Sequence, residues 1–230
     1  VLFVREHVQG VPKNFRLVLV DVPWYSWSEQ VRLPKIIKEQ KLDVMHFPHW
    51  NVPIMYNDPF VVTIHDLTMY HHPRPEATTL GPLKFFLKDK VHRFVVRHAV
   101  NKARHIITTS DFTAQDVHET LRVPMSNMTT IYESAFHSPE KISEENGRLL
   151  MNKYSLQKPY VLYVGSAYPH KNVEGLLRAW TVFKKEYDQN DTYSLVLAGA
   201  DTYFYKRMRS VAEGIPSVVC TGFVQDDALN

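Results

Sequence analysis

The sequence predicts an α/β fold of two Rossmann-like, doubly wound units with parallel sheets, and three observations carry that prediction. Short apolar runs recur along the chain, at 15–22, 43–47, 60–65, 105–109, 128–132, 160–165, 194–199 and 217–222. Most are near-continuous, as in Val161-Leu162-Tyr163-Val164 and Leu195-Val196-Leu197-Ala198, the pattern of strands buried on both faces of a parallel sheet. Helix-compatible segments separate the runs, and such alternation marks parallel strands joined by crossover helices.

The helices follow in order. Ser26 and Glu29 have capping-box spacing ahead of a helix running towards Gln40, with Pro34 as an irregularity inside it. The segment 83–104 places Phe86, Val91, Phe94, Val95 and Ala99 at helical spacing among basic residues. Thr113 with Asp116 can cap a short helix through Val117 and Leu121, and 172–187 and 202–213 complete the set. Between 137 and 159 the chain turns polar and strand-poor. Residues 138–147 read as a linker between a first unit at 1–137 and a second at 148–230, with 148–154 as a short helix leading into the next strand. Val1-Leu2-Phe3-Val4 reads as the middle of a strand and 226–230 as a helix just begun, so both units read as incomplete.

Composition narrows the classes of function. A hydrophobic content of 44% with 22% charged residues is that of a chain with a packed core. With 27 basic and 24 acidic residues the formal charge is +3, too even to argue for a nucleic-acid partner. Cys220 is the sole cysteine, so no internal disulfide forms and a reducing, cytoplasmic setting is expected. No run approaches the roughly 18 apolar residues of a membrane span, and Arg5 and Glu6 break the first apolar run too early for a signal peptide.

The most informative stretch runs from Tyr160 to Val173. An apolar strand enters a loop at Gly165-Ser166, and Lys171 stands just before Asn172 and a helix start. Ligands of open α/β sheets collect beyond the carboxyl ends of the strands, and a helix N-terminus beside a lysine suits a diphosphate. A surface lysine after a turn, with Asn172 as a plain N-cap, is the alternative on local chemistry.

This segment is similar to the opening of the donor domain of glycosyltransferase family 4, which commonly reads as apolar strand, V-G, variable loop, P-[RH]-K-N, helix. Ser194-Leu195-Val196-Leu197-Ala198-Gly199 resembles that family's next strand, and Val219-Cys220-Thr221-Gly222-Phe223-Val224 its "tGfV" strand. Upstream, Leu42-Asp43-Val44-Met45-His46-Phe47-Pro48, Val61-Val62-Thr63-Ile64-His65-Asp66-Leu67, 103–110 and Thr130-Ile131-Tyr132 resemble its acceptor domain. The similarity covers nearly the whole chain in the family's order.

The resemblance implies the GT-B fold and a retaining transfer of a hexose from a nucleoside diphosphate sugar to a saccharide or lipid-linked acceptor, in polysaccharide or glycolipid synthesis. It implies no metal and no other cofactor. Lys171 matches the phosphate-binding lysine and, with His65, is the expected catalytic residue. Gly165, Ser166, Asn172, Gly222 and Val224 are expected on the donor side, Gly222 and Val224 at the nucleobase unless they are plain strand end and turn. His46 and Asp66 are expected on the acceptor side. Two departures stand out. Ser166 occupies the place where many members carry an arginine, and the family's two glutamates separated by seven residues are not found among the 230. A sugar-nucleotide epimerase of the same fold, or a non-catalytic nucleotide-binding module, therefore stays open.

His65 closes its strand, where a histidine can orient hydroxyls or take up a proton; a structural bond to Asp66 is the alternative. His46, His49, His71 and His72 lack metal-ligand spacing and a cysteine partner. Ser110 reads as a cap. In 83–104, Lys84, Lys88, Lys90, Arg93, Arg97, Lys102 and Arg104 face Asp89 as the sole acid, and Phe85-Phe86-Leu87 opens the segment. It reads either as a core helix with a basic solvated face or as a peripheral contact with an anionic membrane.

Overall fold

The computed structural model describes residues 1–73, 81–134, 143–156, 159–225 and 228. They divide into two compact units, the described residues up to 134 and those from 143 onward.

In the first unit β1 (Leu2–Val4) pairs in parallel with β2 (Leu17–Leu19), and α1 spans Trp27–Glu39. A second sheet contains β3 (Met45–Phe47), β4 (Phe60–Ile64), β5 (His105–Thr108) and β6 (Met128–Thr130) in that order, every pairing parallel. Parallel neighbours need crossovers. Between β4 and β5 these are α2 (Thr68–His71) and α3 (Pro82–Lys102), and between β5 and β6 it is α4 (Asp111–Leu121). Phe60, Val62, Ile64 and Ile106 are at most 2% exposed and pack with Phe47, Val96, Ala99 and Val117. Each such side chain contributes about 1.5–3 kcal/mol by leaving water.

The Ser26 cap forms as its spacing predicts: its Oγ accepts from the Glu29 amide at 3.1 Å. The Glu29 carboxylate reaches back one residue further than a capping box would, to the Tyr25 amide at 2.7 Å, and also accepts from Asn51 Nδ2 at 2.8 Å. Glu29 is thus buried yet satisfied, with its charge at the favourable end of α1. Pro34 lies inside α1 without ending it.

Two boundaries differ from the sequence expectation. Thr113 is not the cap of α4 but lies buried within its first turn; Ser110, which also read as a cap, takes that place and accepts from the Thr113 amide at 3.1 Å. Asp116 instead accepts from Thr120 at 2.9 Å and faces the His71 ring. The next helix, α5 (Glu144–Lys153), starts inside the stretch expected as linker because Ser143 caps it through the Asn146 amide. Positions 138–142 of that stretch, and 226, 227, 229 and 230 of the expected last helix, lie outside the described residues.

The second unit continues with β7 (Tyr160–Val164), α6 (Val173–Glu186), β8 (Ser194–Ala198), α7 (Tyr203–Ala212) and β9 (Val218–Gly222). Its strands lie in the order β7-β8-β9, all parallel. Central β8 is as buried as its apolar run implies, with Leu195, Val196, Leu197 and Ala198 at most 2% exposed. The equally apolar β7 is not. Val161, Leu162 and Val164 are 46%, 44% and 52% exposed, because β7 is a sheet edge paired with β8 alone among the described residues.

Below the sheet, a buried clasp ties the end of α6 to the start of β8. Lys184 Nζ donates to Asp188 at 2.6 Å and to the Tyr193 carbonyl at 3.1 Å, and pairs with Asp191. Asp188 also accepts from the Thr192 and Tyr193 amides, at 2.8 and 2.9 Å. Burial by itself would raise the Asp188 carboxyl. The Lys184 bond and the two amides outweigh it and hold the group at about 2.

Candidate functional site

Candidate residues gather at the carboxyl ends of the strands in each unit. In the first unit, His65 follows β4. Its backbone carbonyl accepts from the hydroxyls of Thr109 at 3.1 Å and Thr113 at 3.0 Å, which fixes it against the residues following β5. Its ring lies between two acceptors: Nε2 meets the Pro48 carbonyl at 2.9 Å, and Nδ1 meets Glu133 at 2.9 Å. A carbonyl and a carboxylate only accept, so both ring nitrogens donate when both bonds are made.

The Asp66 bond considered from the sequence is not the one made, since Asp66 Oδ1 accepts from the Thr68 amide at 2.8 Å and closes the turn into α2. His46, also expected here, bonds Thr63 Oγ1 at 2.8 Å and is not a partner of the His65 ring.

Glu133, Trp50 and His92 enlarge this group beyond the residues the sequence singled out for chemistry, and His49, weighed there only as a metal ligand, joins them. Glu133 arrives from just past β6, an exposed acid with no local pattern to mark it. The His49 ring lies tilted against Trp50 with ring centroids 4.5 Å apart, and Trp50 meets His92 of α3 edge-on at 4.5 Å. Burial lowers the His49 imidazole below its ordinary range, the neighbouring His65 lowers it further, and Asp66 opposes both. Burial likewise lowers His92. A depression of about 250 Å³ adjoins the turn, lined by Asp66, Thr68 and His71 and, from α4, Phe112, Gln115 and Glu119. Among the described residues no group of three or more His, Cys, Asp or Glu is placed to hold a metal ion.

In the second unit the central feature is a row of glycines. Gly165 follows β7, Gly199 follows β8 and Gly222 closes β9. The Gly165 amide donates to the Ala198 carbonyl at 2.9 Å and the Gly199 amide to the Gly222 carbonyl at 2.9 Å. A Cβ on Gly199 would stand 2.2 Å from the Gly165 carbonyl oxygen and 3.0 Å from the Tyr205 ring. Gly165 and Gly222 have φ of 150° and 74°, the range that favours glycine. Bare backbone therefore runs across the ends of three adjacent strands. Gly165 and Gly222 were expected on the donor side from their motifs, whereas Gly199 closed the segment that resembles the family's next strand and was given no role.

Between the loop after Gly165 and α6, Pro169–Lys171 forms a 3-10 turn with Lys171 exposed, and Asn172 takes a left-handed φ of 53° at the head of α6. Asn172 is not the ordinary cap weighed from the sequence, because its side chain makes no capping bond. It lies instead over Gly175, where a Cβ would come within 2.5 Å of it. The first turn of α6 thus keeps backbone amides without a side-chain acceptor, next to a lysine. Ser166 contributes its carbonyl, which accepts from the Tyr163 hydroxyl at 2.9 Å and steadies the loop after β7. Val224 is buried, while Phe223 before it is 69% exposed.

Residues 3–134 match Glycosyltransferase Family 4. The chain is 24% identical over 199 residues to the O-antigen chain mannosyltransferase RfbU of Salmonella typhimurium, covering 86% of this chain and 47% of that protein. It is 23% identical over 168 residues to O-antigen chain mannosyltransferase B of Escherichia coli, covering 71% and 40%. The chain thus spans about half the length, or less, of these relatives. Its fold resembles that of Anabaena Alr3699/HepE, solved in complex with UDP-glucose, with a TM-score of 0.65 at 14% identity over 93% of this chain and 57% of the other.

Proposed function

Because this chain belongs to Glycosyltransferase Family 4 and has the GT-B fold, we propose that it serves the transfer of a hexose from a nucleoside diphosphate sugar to an acceptor hydroxyl. The reading extends to retention at the anomeric carbon and to the synthesis of a surface polysaccharide or glycolipid. Its O-antigen relatives make mannose the first sugar to test, and the complex of Alr3699/HepE makes UDP the first nucleotide.

The observation that carries the reading is the glycine row at the strand ends together with Lys171, which directly precedes the uncapped first turn of α6. When the bond between sugar and diphosphate breaks, negative charge builds on the leaving phosphate. Backbone amides at a helix start and a nearby ammonium meet that charge without reorganising. Glycines let the diphosphate approach the backbone closely. The left-handed Asn172 keeps its side chain from capping the amides that a phosphate would use. In the first unit, His65 is fixed at its carbonyl by Thr109 and Thr113 and at Nε2 by Pro48, and the exposed Glu133 on Nδ1 is the contact that a hydroxyl of the transferred sugar or acceptor would displace to reach the ring. Asp66 and the exposed ring of Phe112 give the adjoining depression a hydroxyl-binding group and an apolar wall, which supports an acceptor role there.

Titration of UDP and GDP into the chain and into Lys171→Ala tests the donor assignment. A charge-assisted contact contributes about 1.5–3 kcal/mol, so one lysine and one helix start give millimolar binding, about −4 kcal/mol. Lys171→Ala should abolish it, and binding indifferent to that substitution refutes the phosphate role. Residues 1–230 should show no transfer in a parallel assay, since the paired glutamates implied by the resemblance are not among them.

A further inference from the structure

We propose that an aromatic row running from His49 through Trp50 to Tyr25 and Trp24 is a saccharide platform that extends the acceptor site, and that the acceptor it takes is an oligosaccharide. The platform presupposes the acceptor role given above to the His65 group, where the row begins: His49 neighbours both His65 and Asp66. The ring centroids of His49 and Trp50 lie 4.5 Å apart and those of Trp50 and Tyr25 6.0 Å apart. His92 of α3 backs Trp50 edge-on.

The row joins two loops, the one after β3 that carries His49 and Trp50, and residues 20–26 between β2 and α1. One buried carboxylate ties them together, since Glu29 accepts from the Tyr25 amide at 2.7 Å and from Asn51 Nδ2 at 2.8 Å. Tyr25 is held at a left-handed φ of 58°, a conformation that bulky side chains rarely adopt. Strain of this kind persists where the surroundings over-determine it, and it collects at binding sites.

The fold does not bury what it has so fixed. Trp24 and Tyr25 are 63% and 68% exposed, and Trp50 is only half-buried. Polar groups accompany the rings. The Trp24 indole N–H and the Tyr25 hydroxyl make no hydrogen bond among the described residues. His49 Nδ1 accepts from the Asn51 amide at 3.3 Å, so the neutral ring carries its proton on Nε2 as a further donor. Burial lowers the His49 imidazole and favours that neutral form. A pyranose has C–H groups on its faces and hydroxyls around its rim, so it can lie on a ring face while its rim meets such donors.

Charge separates this occupant from its rivals. Residues 22–28 carry no charged side chain, so nothing in that run draws anionic lipid or a nucleic-acid backbone. Exposed tryptophans also suit a lipid interface, although no described helix is long and apolar enough to cross a membrane. A neutral lipid surface is therefore the rival to separate by experiment.

The test is calorimetric titration of the purified chain, without sugar donor, with methyl α-mannoside, α-mannotriose and maltotriose, and saturation-transfer NMR on the bound sugar. At least one trisaccharide should bind tenfold or more tightly than the monosaccharide, with transfer to its ring C–H protons. Tyr25→Gly with Trp24→Ala removes two rings and places at position 25 the residue that best tolerates its φ. It should lower trisaccharide affinity at least tenfold without lowering thermal stability. Trp27, 85% exposed on α1 and in contact with no other ring among the described residues, supplies the control; Trp27→Ala should stay within twofold. Equal affinity for mono- and trisaccharides, no binding of either trisaccharide, indifference to the double variant or an equal loss in Trp27→Ala overturns the proposal. So does sedimentation with phosphatidylcholine vesicles, or self-association, that the double variant abolishes. The UDP titration above is separate: saccharide binding lost with UDP binding intact removes the platform alone, and the converse removes the donor assignment alone.

Discussion

Replacing Gly199 by alanine adds one methyl group at the most crowded point of the glycine row. The new carbon would stand 2.2 Å from the Gly165 carbonyl oxygen, with Tyr205 ring atoms at 3.0 and 3.2 Å. Ordinary contact lies near 3.5 Å, so something must move by about an ångström. Neither neighbour yields easily. Tyr205 is buried, and its hydroxyl donates to the Leu197 carbonyl at 2.5 Å. Gly165 is bound through its amide to Ala198 at 2.9 Å. Overpacking of this kind costs about 1–3 kcal/mol, and a stretched backbone hydrogen bond adds about 1 kcal/mol. Gly199→Ala should therefore destabilise the second unit by about 2–4 kcal/mol and, by shifting the Gly165 loop, weaken UDP binding at least tenfold. Amide hydrogen exchange across β7, β8 and β9 gives the local stability, and titration gives the affinity. Gly214→Ala is the control: a Cβ there meets nothing within 4 Å, and surface changes of this type stay within about 0.5 kcal/mol. A loss below 1 kcal/mol with unchanged UDP affinity would show that the row is neither rigid nor part of the donor site.

Two further predictions concern single side chains. If the proposed transfer is carried out by an enzyme that contains this chain, His65→Ala should lower its turnover at least tenfold, about 1.4 kcal/mol of transition-state stabilisation, with the fold retained; unchanged turnover makes the grip on this ring purely structural. Asp188 is held at about 2 against an ordinary 3.8, so its contribution to stability is complete above about pH 4 and is lost as pH falls through 2. Asp188→Asn should flatten the stability of the second unit across that window, read by amide exchange of β8, and an unaltered acid limb rules the clasp out as its source.

The legible parts of this protein are those whose cause is local. A run such as Leu195-Val196-Leu197-Ala198 needs no partner to announce a buried strand, and Ser26 with Glu29 announces a helix start within one turn. What a strand meets on its far side is not local. Val161, Leu162 and Val164 carry the same apolar pattern as β8, yet they lie at a sheet edge, because burial depends on neighbours that no window of sequence contains. The candidate site divides in the same way. Lys171, Gly165, Gly222 and His65 could be named from strand-to-loop motifs. Glu133 could not, since it reaches the His65 ring only after β6 is laid beside β5. Gly199 had a motif but no visible reason, and the reason is the carbonyl of Gly165, thirty-odd residues away in sequence and against it in space. α3 shows the limit most plainly. One helix with two apolar faces reads in sequence as diffuse hydrophobicity among lysines, and only the sheet beneath Val96, Ala99 and Val100 separates the face that builds the core from the face left exposed. In this fold, then, local pattern identifies the element and its chemistry, while sheet order decides which of its residues are exposed to act.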